Sequence, residues 1–168
     1  MNTPDLRRLD GVVSSRILAA LAEASACLDA LEIAHAVIGG LAVGAWGYPR
    51  ATKDVDFLVR AADVFDVHGN IVTFRAHVPI EVNGVKVDYL PAEDHGLEKA
   101  LVDPIVPVEA LFLLKLRAWR RQDQTDLAKL IELGADVDHI RKWLRNRIED
   151  EAVTRLDKLT AAVDAGEQ

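Results

Sequence analysis

The chain has 168 residues, half of them hydrophobic and 28% charged, with 20 Lys+Arg against 27 Asp+Glu for a formal net charge of −7. That is long enough to bury a core in one domain, or a domain with a small appendage, and too apolar for wholesale disorder. A single cysteine, Cys27, excludes an intramolecular disulfide framework and a cysteine-based zinc cluster, and no run approaches the ~18 consecutive apolar residues of a membrane span.

The acidic balance argues against a broad nucleic-acid coat but leaves room for a local basic groove. The N-terminus is polar and mixed in charge, unlike a secretory signal, so a cytoplasmic protein without membrane attachment is expected. In chain order, the first predicted element is a helix over 14–31. Ile17, Leu18, Leu21, Cys27, Leu28 and Leu31 recur at helical spacing, and Ser14 or Ser15 suits the N-cap. A buried strand over 33–38 ends at Gly39-Gly40, a short Ala-rich helix covers 41–46, and Gly47-Tyr48-Pro49 breaks it. A second strand spans 53–59, residues 61–69 are ambiguous, and 71–78 have strand character.

Asn83-Gly84 between alternating apolar residues predicts a two-residue hairpin with a type I′ turn. Val82 then faces Val85, Glu81 faces Lys86 and Ile80 faces Val87, with a Glu81–Lys86 ion pair on one face. Beyond Pro91 the chain reads as helical. Pro107 suits the first position of a helix running to 122, a second helix covers 125–133 with Gly134 as its C-terminal cap, and others cover 136–147 and 149–165. The expected fold class is α+β: a core over 1–92 with a small mixed or antiparallel sheet flanked by helices, then a helical subdomain over 93–168, packed as one unit.

Chemistry concentrates between Ala36 and Val59. Asp54 and Asp56, two apart on a strand, point to one face, where their repulsion calls for a cation. Magnesium suits such oxygen ligands and leaves room for water and phosphate. Asp88 adds a third carboxylate from the hairpin, and three aspartates on neighbouring strands can serve two ions. Gly39 and Gly40, lacking Cβ, let backbone approach a phosphate, and Arg50 and Lys53 flank the acidic pair.

A Gly-Gly pair, an Asp-x-Asp strand and a third strand Asp resemble the DNA polymerase β-type nucleotidyltransferase superfamily. The run from Tyr48 to Asp56, with its Arg-x-Thr-x-Asp-x-Asp pattern through Arg50, Thr52, Asp54 and Asp56, is most similar there to the AbiEii-like toxin nucleotidyltransferases of bacteria. The resemblance implies magnesium-dependent transfer (a two-ion site, with manganese able to substitute) of a nucleoside monophosphate from a nucleoside triphosphate. The acceptor hydroxyl would belong to a tRNA 3′ end, a protein or a small molecule such as an antibiotic. It implies metal binding and catalysis by Asp54, Asp56 and Asp88, with Asp88 helping to deprotonate the acceptor. Nucleotide or phosphate contacts fall to Gly39, Gly40, Arg50, Thr52, Lys53 and Lys115, and auxiliary positioning to Asp123 and Asp126. An antitoxin partner and a homodimer are further expectations. The family's helix after the Asp-x-Asp strand is reduced here to residues 60–70, about two turns. The shortening would open the site, change the acceptor, expose a dimerising face, or mark an inactive nucleotide-binding scaffold.

Simpler readings stand beside these. Lys115 sits among Leu111, Phe112, Leu113, Leu114 and Leu116, where a lysine extends its stem to reach water. Asp123 and Asp126 suit a helix N-terminus. Arg141, Lys142, Arg145 and Arg147 suit a solvated face, Trp46, Trp119 and Trp143 suit packing, and no histidine has metal-ligand spacing.

Overall fold

The computed structural model describes residues 3–102 and 104–166; the ends of the two expected units, 1–2 and 167–168, and residue 103 lie outside them. The architecture is α+β, as the sequence indicates. Helix α1 (Ser15–Ala30) starts where Ser14 accepts the Ile17 N–H, and it lays Ile17, Leu21, Ala24 and Leu28 on the sheet. The expected strand over 33–38 narrows to β1 (His35–Val37). His35 is structural: its Nδ1 donates to the Ile33 carbonyl at 2.8 Å, so Nε2 accepts the Ser25 hydroxyl, also at 2.8 Å.

Helix α2 (Gly39–Ala45) follows directly, then β2 (Val55–Val59), antiparallel to β1. The segment that the sequence left ambiguous forms one turn, α3 (Ala61–Val64), and a separate antiparallel hairpin of β3 (Phe65–His68) and β4 (Ile71–Phe74). Strand character expected to 78 therefore ends at Phe74. Every residue of β4 is exposed, so no buried face extends the strand.

The second hairpin has the predicted register, with Glu81 opposite Lys86 and Val82 opposite Val85 in β5 (Glu81–Val82) and β6 (Val85–Pro91). Asn83 and Gly84 have φ of 52° and 73°, the paired left-handed geometry of a type I′ turn. Helix α1 clamps it, with Arg16 donating to the carbonyls of Asn83 at 3.0 Å and Gly84 at 2.8 Å. The ion pair expected between Glu81 and Lys86 does not form; the Lys86 ammonium goes to Asp88 instead.

The main sheet runs β1-β2-β6-β5, and its inner pair is parallel: β2 reaches β6 by a crossover through α3 and the β3–β4 hairpin. Among the described residues, four α-helices complete the fold after two short 3-10 segments: α4 (Val108–Ala118), α5 (Arg121–Glu132), α6 (Val137–Asn146) and α7 (Asp150–Asp164). Pro107 is the N-cap rather than the first helical residue. The break expected near 123–124 lies instead at Trp119, whose φ of 52° reverses the chain and puts Asp123 in the first turn of α5. Apolar burial unites the layers, from Phe57 in the sheet to Phe112, Leu113 and Leu116 on α4, each fully buried. Such side chains contribute about 1.5–3 kcal/mol apiece. Among the described residues no helix is long and apolar enough to cross a membrane.

Candidate active site

Parallel pairing sets the geometry. Asp56 on β2 stands in register with Asp88 on β6, so their side chains share the sheet face that looks toward α4. Asp54 precedes β2 by one residue and shares that face by the two-residue strand period. The three carboxylates line a cleft of about 700 Å³, closed on its other side by Leu111, Leu114 and Lys115 of α4, with Arg120 and Asp123 at its edge.

Burial pushes the Asp56 carboxyl up to about 6, and the charges of Asp88 and Asp54 add to the effect, partly offset by Lys115 and Lys86. Asp88 is more open to solvent, and its Oδ1 accepts the Lys86 ammonium at 2.8 Å.

Gly39 is fixed here by geometry. Its φ is +66°, and a Cβ would lie 2.2 Å from Asp56 Oδ2 and 3.0 Å from its Cγ. Gly39→Ala is expected to destabilise the fold by about 1–3 kcal/mol in urea unfolding, from left-handed strain plus displacement of Asp56. Asp56→Ala removes both of those atoms and should restore part of the loss; full additivity of the two substitutions would refute the contact. A Cβ on Gly40 would meet Thr52 Oγ1 at 3.1 Å and Arg50 Nη2 at 3.4 Å, so these three residues form a neighbouring group.

Behind the cleft lies a buried ionic network. Lys115, 6% exposed, donates to Asp123 Oδ1 at 2.9 Å and Asp126 Oδ2 at 2.7 Å. Arg50 grips Asp126 with Nε and Nη2, each at 2.7 Å, and Gln122 donates to it at 2.9 Å. Arg120 Nε donates to Asp123 Oδ2 at 2.7 Å, and the Arg120 backbone N–H donates to the same oxygen, capping α5. Burial raises both carboxyls, but hydrogen bonds from Arg120 and Lys115 to Asp123, and from Arg50 and Lys115 to Asp126, outweigh it and hold each below its ordinary value.

The cleft thus brings together Gly39, Asp54, Asp56, Asp88, Lys115 and Asp123. Gly40, Arg50, Thr52 and Asp126 stand outside its lining; Arg50 and Asp126 connect to it through Lys115, and the guanidinium edge of Arg50 is already taken by Asp126. Lys53 is exposed and outside the lining.

Sequence reasoning missed Lys86, His95, Arg117 and Arg120 as cleft residues. Lys86 was readable, because two residues before Asp88 on a strand means the same face. Arg117 donates to His95 Nδ1 at 3.0 Å and pairs with Glu149; an arginine cannot accept, so His95 carries its proton on Nε2. Burial, then the Arg117 charge, depress its protonation.

As the side chains stand, no three His, Cys, Asp or Glu among the described residues form a group able to hold a metal ion. Asp88 is turned to Lys86. The donors still suit a hard dication in kind. Magnesium needs only one or two protein carboxylates with water and phosphate completing its shell, and among the described residues the half-buried Asp56 carboxylate has no direct ion-pair partner.

No family model matches the chain, and no curated protein matches it. Among solved structures it is similar to an antigenic nucleotidyltransferase-like protein from Paracoccidioides brasiliensis, at 15% sequence identity over 87% of this chain and 94% of that one, with a TM-score of 0.45.

Proposed function

We propose that the cleft transfers a nucleoside monophosphate from a nucleoside triphosphate to an acceptor hydroxyl, with magnesium as the cofactor. The observation that carries this reading is the register of Asp56 with Asp88 across a parallel strand pair, with Asp54 on the same face and the backbone of Gly39 against Asp56. Asp54 and Asp56 would hold magnesium, or manganese in its place, with Asp88 completing a two-ion site. Bound there, the metal supplies positive charge for the α-phosphate and the departing pyrophosphate.

The acceptor oxygen bonds to the α-phosphorus as the bond from phosphorus to the bridging β-oxygen breaks. Pyrophosphate leaves with the electron pair, and a carboxylate oxygen of Asp88 takes the hydroxyl proton. Lys115 has two N–H donors held by Asp123 and Asp126 and keeps its third for phosphate. Arg50, committed to Asp126, anchors the loop before β2 to α5, with Thr52 and Gly40 beside it. Gly39 keeps backbone open to phosphate, and Lys53, outside the lining, would reach only a phosphate that projects from the cleft. Rate acceleration here comes from positioning and fixed charge.

The resemblance of the Arg50-to-Asp56 pattern to toxin nucleotidyltransferases implies a tRNA 3′ end or a protein hydroxyl as acceptor, in a bacterial, cytoplasmic toxin–antitoxin setting. The test incubates the chain with magnesium, each α-labelled nucleoside triphosphate, and bulk tRNA or lysate protein. Label should enter one macromolecular class with release of pyrophosphate, and Asp54→Asn/Asp56→Asn should abolish it. No incorporation by the wild-type chain overturns the proposal. Triphosphate binding without turnover would instead identify a nucleotide-binding scaffold.

A further inference from the structure

We propose that Lys86 is a built-in counter-cation for Asp88 that competes with a divalent cation for that carboxylate and so sets the metal affinity of the acidic face. The inference rests on reading the cleft as a metal-dependent site. Its geometric basis is direct. Lys86 and Asp88 are two apart on β6, hence on one face, with Nζ 2.8 Å from Oδ1. Glu81 stands opposite Lys86 in the β5–β6 register, yet the ammonium pairs with Asp88.

The field explains the choice. Asp88 lies in register with Asp56 and near Asp54, so an ammonium there is attracted by three carboxylates. The side chains are 66% and 44% exposed, so the lysine can swing away without unpacking the core.

A metal reaching Asp88 must displace this ammonium or sit beside it. Either way a unit positive charge a few ångström from a dication weakens binding, by about tenfold or more at a half-exposed site. A triphosphate entering the cleft offers Lys86 another anion and releases Asp88, which couples metal loading to substrate arrival.

Manganese binding to the full chain without nucleotide, measured by calorimetry and by the paramagnetic signal of the free ion, tests this apart from turnover. Lys86→Met keeps the stem and removes the charge; it should bind manganese about tenfold more tightly than wild type. Lys86→Arg keeps the charge and should stay within about threefold of wild type. Equal or weaker binding by Lys86→Met overturns the inference. If wild type binds manganese, Asp56→Asn abolishes binding and Lys86→Met changes nothing, the competition fails while the metal site stands. If no form binds manganese, both fail.

Discussion

Asp126→Ala is expected to destabilise the fold by about 3–5 kcal/mol, measured by urea unfolding at pH 7.5. The carboxylate has no solvent exposure and accepts hydrogen bonds from Arg50, Lys115 and Gln122. Its removal leaves the buried Lys115 with Asp123 as its one remaining anionic partner and releases Arg50, which ties the loop before β2 to α5. The loss comes chiefly from stranding charge, so Lys115→Met in the Asp126→Ala background should recover part of it; a double mutant no better than the single would refute that origin. A single-mutant effect below about 1 kcal/mol would mean that water relieves the network.

Acid should dissolve the same network. The folded carboxyls of Asp123 and Asp126 sit below the ordinary aspartate value of 3.8, so the folded chain holds fewer protons there than the unfolded chain. Their stabilisation is complete above that ordinary value and is lost as pH falls through the depressed folded values.

What the sequence revealed follows the range of the forces involved. The Asn83-Gly84 turn was legible because a type I′ turn and its register depend on two residues and their neighbours. The Ser14 cap and the buried stripe of α1 were legible for the same reason. The α4–α5 boundary was not, because Trp119 takes a left-handed φ with no glycine or proline to announce it, and tertiary packing pays that local cost. Strand β3 escaped, and β4 was read too long at its end, because seven of their eight residues are exposed and give no alternation of buried and open positions; Phe65 leans on Phe74 with centroids 5.2 Å apart. In the candidate site, the two-residue spacing of Asp54 and Asp56 was local information. The pairing of Asp56 with Asp88 depends on a crossover that brings distant strands side by side. Lys86 was assigned to Glu81 because cross-strand neighbours are the obvious partners; its two-residue spacing to Asp88 was equally local, but the charges of Asp56 and Asp54 beside Asp88 come together only when the strands pair.

Asp56→Asn is expected to make the chain more stable and inactive at once. The folded carboxyl is raised to about 6 from 3.8, so between those values the folded chain retains a proton that the unfolded chain has released. Stability therefore falls as pH rises through that window, and above it the charge carries a constant penalty of about 2–3 kcal/mol. The amide removes the penalty: the variant should gain about 1–3 kcal/mol over wild type at pH 7.5 and lose the advantage near pH 4. Because the Asp123–Asp126 network fails only in stronger acid and is common to both forms, wild type without metal should gain on Asp56→Asn as pH falls from about 6 toward 4, a difference readable from urea unfolding of the two forms across pH. Under the proposed mechanism transfer activity should drop about 100-fold or more, since Asp56 would lose the charge that holds the metal. Magnesium at about 100 times its dissociation constant should stabilise wild type at pH 7.5 by about 2.7 kcal/mol and leave Asp56→Asn unmoved. A less stable Asp56→Asn would show that the buried charge at Asp56 is no strain on the fold, and equal stabilisation of both forms by magnesium would show that it is not the seat of the cation.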